Sequence, residues 1–227
     1  MNNKISPTSS FLNPDRYFSP DISIRSIARD LYAGTKDLPI VSPHGHTDPR
    51  WFAENLPFTD PAHLLITPDH YVFRMLYSQG VGLEKLGIPR LDGGSVEEDP
   101  RQIWQLFSQY YYLFAGTPVG AWFDHVFAEV FGMSENLTPE NSESFYNTID
   151  TALRTPDFLP RNIVDRFKIE VISTTDDATH TLAHHQVIQD SGWGGKVIPT
   201  FRPDGVSNII HPDWRTNINA LGELVGT

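Results

Sequence analysis

The chain has no cysteine among its 227 residues, and this absence excludes several kinds of site. Disulfide bonds, thiolate nucleophiles and cysteine-ligated zinc centres cannot form without a thiol. Any metal ion bound by this chain must therefore use histidine nitrogens or carboxylate oxygens as its side-chain ligands.

Basic residues and long apolar runs are also scarce. Lys and Arg total 17 against 28 Asp and Glu, and the resulting formal net charge of -11 argues against a nucleic acid partner. No apolar run approaches the roughly 20 residues of a membrane span. The polar start of the chain lacks the apolar core of a signal peptide. We therefore expect no membrane partner and a cytoplasmic location.

The most informative segment that is present runs from Leu38 to Asp48. Its apolar first half predicts a short strand, and His44 and His46 follow directly. Residues two apart in an extended chain share a face, so both imidazoles can point at one metal ion. Histidines in such a turn can also simply bond to the backbone, but the preceding strand favours the metal. Catalytic zinc usually takes three protein ligands, so further ligands must come from elsewhere.

Strand and helix patterns divide the chain into three predicted segments. Residues 1–49 contain an arm, a helix capped by Asp21 and the first strand. Residues 50–166 carry helical patterns, whereas residues 167–227 read strand, helix, strand, helix. Four helices of the middle segment are predicted to start at an Asp or Thr cap followed by proline, at Asp60, Asp99, Thr117 and Thr138.

This order predicts an α/β fold built on a parallel sheet. We expect the N-terminal part of a (β/α)8 barrel, about three parallel strands, with a large helical insertion after the first strand. A complete barrel needs roughly 250 residues. We therefore expect the chain to be the N-terminal portion of a longer protein.

Two further groups of residues are candidates for chemistry. His70 and Arg74 are spaced to share a helix face, with Tyr71 beside them, and His70 and Tyr71 suit acid/base work. The alternative is a helix start capped by Asp69, with its aromatic side chains in the core. Arg202 ends the third strand, where a guanidinium can bind a carboxylate in a forked geometry. Its alternative is an ion pair with Asp204 or with acids of the neighbouring turn.

The acids and histidines after the second strand favour structural roles. Asp176 and Asp177 follow two threonines and are predicted to cap the next helix and to lie in its first turn. His180 and His184 are predicted to lie one turn apart on that helix, at the protein surface.

Taken together, these segments resemble the uronate (glucuronate) isomerase family of the amidohydrolase superfamily. The resemblance is carried by Leu38–Val41 with His44-Gly45-His46 and Asp48-Pro49, by Asp69-His70-Tyr71 with Arg74, by Thr174–Asp177, and by Arg202-Pro203-Asp204. One departure is Ser42-Pro43, where the family more often has an Asp-Tyr-like pair.

The resemblance implies a (β/α)8 barrel that interconverts D-glucuronate with D-fructuronate, and D-galacturonate with D-tagaturonate. It implies that His44 and His46 bind a divalent metal, with zinc expected. It further implies that His70 and Tyr71 are catalytic and that Arg202 and Arg74 bind the uronate, Arg202 through the carboxylate. It allows a homo-oligomer.

The resemblance also implies that a further metal-ligating Asp and a later His lie beyond residue 227, so we expect the isolated chain to be inactive. Two other hypotheses stay open. One is a metal-dependent hydrolase of the same superfamily. The other is a non-catalytic helical interaction module, which the aromatic residues between Tyr110 and Phe131 would support.

Overall fold

The computed structural model describes residues 12–226, which form two compact units. Residues 12–34 and 58–156 make up the helical unit. Residues 35–57 and 157–226 make up the sheet unit. The two units cut across the three segments predicted from the sequence, because helices from both ends of the middle segment pack with the sheet. Within residues 12–226, every helix is too short or too polar to cross a lipid bilayer.

Helices account for the regular structure of the helical unit in its described part. Its α-helices are α1 (Ile22–Thr35, whose last residue belongs to the sheet unit), α3 (Pro61–Leu65), α4 (His70–Tyr77), α5 (Pro100–Gln109), α6 (Pro118–His125) and α7 (Ser142–Leu153). Short 3-10 turns lie at Leu83–Leu86 and Tyr111–Phe114, and a π-helical turn at Val126–Val130 follows α6.

Aromatic side chains form the core of this unit. Trp104 and Phe107 of α5 are buried against Phe123 and Phe127, and neighbouring rings meet edge-on or tilted at centroid distances of 5.2–6.1 Å. Such geometries are favourable for aromatic pairs. The aromatic density of the sequence is therefore largely core, although Tyr112 and Trp122 remain exposed.

The sheet unit contains a three-stranded parallel sheet. Its strands are β1 (Ile40–Ser42), β2 (Ile169–Asp177) and β3 (Lys196–Arg202), in the order β1-β2-β3. Its α-helices are α2 (Pro49–Glu54), α8 (Pro160–Arg166), α9 (Ala183–Asp190), α10 (Asp204–Ser207) and α11 (Trp214–Val225). A parallel α/β arrangement is therefore confirmed.

One face of this sheet is covered by helices. Ile172 of β2 is buried together with Phe52, Val164 and Ile188, which come from α2, α8 and α9. Val197 of β3 pairs with Ile172 and is partly buried against the same helices, whereas the next residue, Ile198, is about half exposed. Since alternate residues of a strand point to opposite faces, the helices lie on one side and leave the other side open in this unit.

Most predicted helix starts are confirmed, and one is wrong. The side chains of Asp60, Asp99 and Thr117 each accept a hydrogen bond from a backbone N–H of the first turn. The helix predicted to start at Thr138 starts later: Thr138 Oγ1 accepts from the Asn141 N–H (3.4 Å) and the Thr138 N–H donates to Asn141 Oδ1 (2.7 Å), but residues 139–141 form a turn and not the first turn of the helix. The helix α7 begins after that turn, at Ser142.

Candidate active site

The candidate site lies at the edge of the sheet where all three strands end. Because the strands are parallel, their C-terminal ends meet at this edge. β1 ends at Ser42, two residues before His44, and β3 ends at Arg202, which pairs with Asp177 of β2. The structure thus brings His44, His46 and Arg202 to one edge of one sheet.

The two histidines already have a spacing that suits one metal ion. Their Nε2 atoms are 3.1 Å apart, and the ring planes are nearly perpendicular at 85°. Two nitrogens bound to one tetrahedral zinc at 2.0–2.1 Å would be about 3.3 Å apart. The donor set therefore fits a zinc-type ion with little rearrangement. Without a metal, the same geometry allows one ring to donate an N–H hydrogen bond to the other.

Hydrogen bonds hold the chain on both sides of this pair. Ser42 Oγ donates to the carbonyl of His44 (3.2 Å), and Thr175 Oγ1 donates to the carbonyl of Gly45 (2.7 Å). After His46 the chain turns into α2, whose first turn is capped by Asp48. The two histidines could be identified from the sequence, whereas no spacing rule connects Thr175 to them.

Among residues 12–226, no group of three or more His, Asp or Glu side chains is arranged to hold a metal ion. In this part of the chain the two imidazoles therefore stand as a pair. That number is below the three protein ligands usual for catalytic zinc.

Arg202 points to the same side of the sheet as Thr175. Thr175 pairs with Thr200, which is two residues from Arg202, so all three share a face. Arg202 Nε lies 3.3 Å from Asp204 Oδ2, as the ion-pair alternative expected, and both side chains are substantially exposed. The pair engages one edge of the guanidinium, and a fork remains for a carboxylate.

The other three predicted site residues lie on α4 of the helical unit. Asp69 caps this helix by accepting from the backbone N–H of Tyr71 (2.8 Å). The imidazole of His70 lies 4.2 Å from the Tyr71 ring, centroid to centroid, and Tyr71 is 64% exposed. The cap is thus confirmed, whereas the idea that Tyr71 packs in the core is wrong. His70, Tyr71 and Arg74 all present their side chains to solvent within this unit.

Comparisons with known proteins identify the family of this chain. The family model for glucuronate isomerase matches residues 19–227. The chain belongs to the glucuronate isomerase family. The uronate isomerase of Mesorhizobium japonicum is 55% identical over 214 residues, covering 94% of this chain and 46% of the relative. That of Rhizobium meliloti is 50% identical, covering 95% of this chain and 46% of the relative.

Two solved structures of the glucuronate isomerase family share the fold. The glucuronate isomerase of Caulobacter crescentus matches with a TM-score of 0.89 and 47% identity, over 95% of this chain and 45% of that one. The uronate isomerase of Thermotoga maritima matches with a TM-score of 0.82 and 28% identity, over the same shares of the two chains. The chain therefore spans a little less than half the length of the relatives it matches.

The structure at the end of β2 differs from what the sequence predicted. Asp176 and Asp177 belong to β2 itself, and α9 starts only at Ala183, so the predicted helix cap is wrong. Strand pairing with β3 continues through both acids, which explains the difference. His180 and His184 are exposed as predicted, but His180 precedes the helix.

A buried hydrogen-bond relay of Thr174, Asp176 and His185 lies where the cap was predicted. Thr174 Oγ1 donates to Asp176 Oδ2 (2.6 Å), and His185 Nε2 lies 2.8 Å from the same hydroxyl. Since the threonine proton goes to the carboxylate, His185 acts as the donor from Nε2. Its Nδ1 is then a buried acceptor, and it has no partner in the described part of the chain. His185 could not be identified from the sequence, because no motif marks it.

The pKa of His185 is lowered, chiefly because burial disfavours its charged form, while Asp176 opposes the shift and His184 and His180 add to it. A folded-state pKa below the ordinary value near 6.5 means that the unfolded chain binds more protons below that pH. The free energy of unfolding is therefore expected to fall as the pH is lowered from 7.5 to 5.5. Urea unfolding at both pH values should show a smaller fall for His185→Gln.

The control for this experiment is His184→Gln, which changes an exposed histidine one residue away on the same helix. We expect its pH dependence to stay much closer to that of the unchanged protein than to that of His185→Gln, because His184 contributes less to the lowered pKa of His185 than burial does. If His185→Gln and His184→Gln gave equal pH dependence, the buried imidazole would not be the source.

Proposed function

We propose that this chain forms the metal-binding and carboxylate-binding edge of a uronate isomerase. The carrying observation is that the His44/His46 pair and Arg202 share one edge of a parallel sheet, in a chain of the glucuronate isomerase family. The reaction we propose interconverts D-glucuronate with D-fructuronate, and D-galacturonate with D-tagaturonate, by moving a proton between C2 and C1.

We propose a (β/α)8 barrel for the whole protein, with α3 to α7 belonging to an insertion after β1. The strand order β1-β2-β3 without reversal supports this, because open doubly wound sheets reverse their strand order and carry helices on both faces. The open face of the sheet, where Val41 and Ile198 are exposed, also suits closure by further strands.

The proposed chemistry needs a base, an acid and a group that holds the developing oxyanion. We assign the proton-transfer roles to His70 and Tyr71, whose rings are adjacent and exposed on α4. We assign the carboxylate to Arg202, and Arg74 to the substrate as a second cation. A divalent ion, with zinc as our proposal, would be held by His44 and His46 and would supply positive charge for the sugar oxygens.

The test of this function is an isomerase assay with D-glucuronate, in which the product is identified as ketose or as a hydrolysis product. We expect D-fructuronate from the full-length protein that contains these residues. The 227-residue chain should show little or no turnover, because it spans less than half of its relatives. A hydrolytic product would favour the alternative of a metal-dependent hydrolase. Normal turnover by the 227-residue chain alone would contradict the proposal that this chain forms only part of the active site.

Substitution of Arg202 tests its role in the same full-length protein. Hydrogen bonds to charged groups contribute about 1.5–3 kcal/mol, which corresponds to about 10- to 150-fold in affinity. Arg202→Gln is therefore expected to raise KM for D-glucuronate at least tenfold. The matched control is Asp204→Asn, which removes the ion-pair partner but keeps the guanidinium.

These two variants separate the functional role from the ion-pair role. If Arg202 binds the carboxylate, Asp204→Asn should change KM by less than about threefold. If both variants raised KM equally, the ion pair between these residues would account for the effect, and Arg202 would lose its proposed role.

A further inference from the structure

We propose that Thr175 is a positioning residue that sets the spacing of His44 and His46. The inference rests on the proposed metal-binding role of the two histidines and adds a residue from a different strand. It starts from the hydrogen bond that joins the Thr175 hydroxyl to the carbonyl of Gly45 (2.7 Å), the residue between the two histidines.

The strand geometry of β2 aims Thr175 at this loop. Thr174 and Asp176 point toward α9, where they meet His185. Because alternate residues point to opposite faces, Thr175 points away from the helix layer. Its side chain therefore belongs to the same face as Arg202, while its neighbours in sequence belong to the buried relay.

Gly45 allows the loop to lie directly on β2. A Cβ atom at this position would come within 3.2 Å of the carbonyl oxygen of Ser173, closer than side-chain carbons normally approach. The absence of a side chain thus lets the backbone come near enough for Thr175 to reach the Gly45 carbonyl. The contact between the loop and β2 therefore depends on both Gly45 and Thr175.

Both peptide groups next to Gly45 are held by a hydroxyl. The His44 carbonyl accepts from Ser42, and the Gly45 carbonyl accepts from Thr175. Fixing these two carbonyls fixes the backbone between His44 and His46, and with it the directions in which the two imidazoles project. An ion that binds the imidazoles then meets a pair already near its final separation, and less conformational entropy is lost on binding.

The experiment compares Thr175→Val, Thr175→Ser and Thr200→Val in the 227-residue chain. Valine keeps the branched shape that suits a strand and removes only the hydroxyl, whereas serine keeps the hydroxyl. Thr200 of β3 pairs with Thr175 and lies on the same face of the sheet. Within residues 12–226 the Thr200 side chain makes no hydrogen bond. Thr200→Val is therefore the matched control. Circular dichroism establishes that each variant is folded, and Thr175→Ala replaces Thr175→Val if that variant does not fold.

The first readout is the affinity for Zn²⁺, measured by competition with a chromophoric chelator. Loss of groups that orient metal ligands typically costs 10- to 100-fold in affinity. We expect Thr175→Val to weaken binding at least tenfold, and Thr175→Ser and Thr200→Val to stay within about threefold of the unchanged chain. Equal weakening by Thr175→Val and Thr200→Val would overturn the proposal, because it would show a general effect on the sheet.

The second readout needs no metal. Imidazole ¹⁵N NMR of the metal-free chain reports the hydrogen bond between His44 Nε2 and His46 Nε2. Thr175→Val should lose this signature and Thr175→Ser should keep it. If the chain showed no zinc binding at these histidines, the metal proposal would fail, but loss of the signature in Thr175→Val would still support the positioning role. Retention of both the signature and the zinc affinity in Thr175→Val would overturn it.

Discussion

Replacing His44 and His46 together by alanine is expected to weaken Zn²⁺ binding to this chain by at least about a thousandfold. Zinc sites with four protein ligands bind with roughly 10–16 kcal/mol, or about 3 kcal/mol per ligand, and the double variant loses two ligands. Among residues 12–226 no group of three or more ligands is arranged to hold a metal ion, so the prediction depends on the two imidazoles, whose Nε2 atoms are 3.1 Å apart.

The measurement is competition with a chromophoric chelator at pH 7.5. The matched control is the double variant His180→Ala/His184→Ala, which removes two exposed histidines from the same unit. We expect the control to change the zinc affinity by less than about threefold. A loss below tenfold in the His44/His46 variant would contradict the metal site.

The parts of the fold that could be predicted are those set by local chemistry. Asp99 and Thr117, each followed by proline, start helices because the side-chain oxygen accepts from a free N–H and proline needs no donor. The two strands after residue 167 have the predicted order because a strand-helix-strand connection favours parallel pairing. At Thr138 the predicted helix start is wrong, because the reciprocal hydrogen bonds between Thr138 and Asn141 close a turn and α7 begins only at Ser142.

The end of β2 shows what local patterns cannot supply. Residues Thr174–Asp177 contain both capping acids and β-branched residues, and the sequence alone gave no reason to prefer the strand. Pairing with β3, which is distant in sequence, extends the strand through Asp177. That extension carries Thr175 to Gly45 and Asp176 into the relay with His185, so both contacts depend on long-range register.

The candidate site was only partly predictable for the same reason. His44, His46 and Arg202 could be identified because strand ends in a parallel sheet share an edge. The hydrogen bond from Thr175 to Gly45 and the burial of His185 arise from tertiary packing. A single sequence shows residue types and their spacings, but it does not show which separated residues meet in the fold. The Thr175–Gly45 contact joins residues 130 positions apart, and the Thr174–His185 contact joins residues 11 positions apart.

Replacing Trp104 by alanine is expected to lower the free energy of unfolding of the helical unit by about 3–5 kcal/mol. The indole is 1% exposed, its Nε1–H donates to the carbonyl of Ser142 (3.0 Å), and its ring lies 6.1 Å from both Phe127 and Tyr146. Alanine would leave a cavity among these rings and a buried carbonyl without its donor.

Urea unfolding followed by far-ultraviolet circular dichroism measures this change, with Trp122→Ala as the matched control. Trp122 is 46% exposed, so its removal should cost less than about 1 kcal/mol. The comparison also bears on the hypothesis of an interaction module, which requires the aromatic residues between Tyr110 and Phe131 to form a docking surface. Four aromatic residues of that stretch are buried together with Trp104: Tyr111, Phe114, Phe123 and Phe127. A large loss of unfolding free energy for Trp104→Ala, with a small one for Trp122→Ala, would show that this cluster stabilises the core. The cluster would then not be available as a docking surface. Equal small losses for both variants would contradict the packing described for this unit.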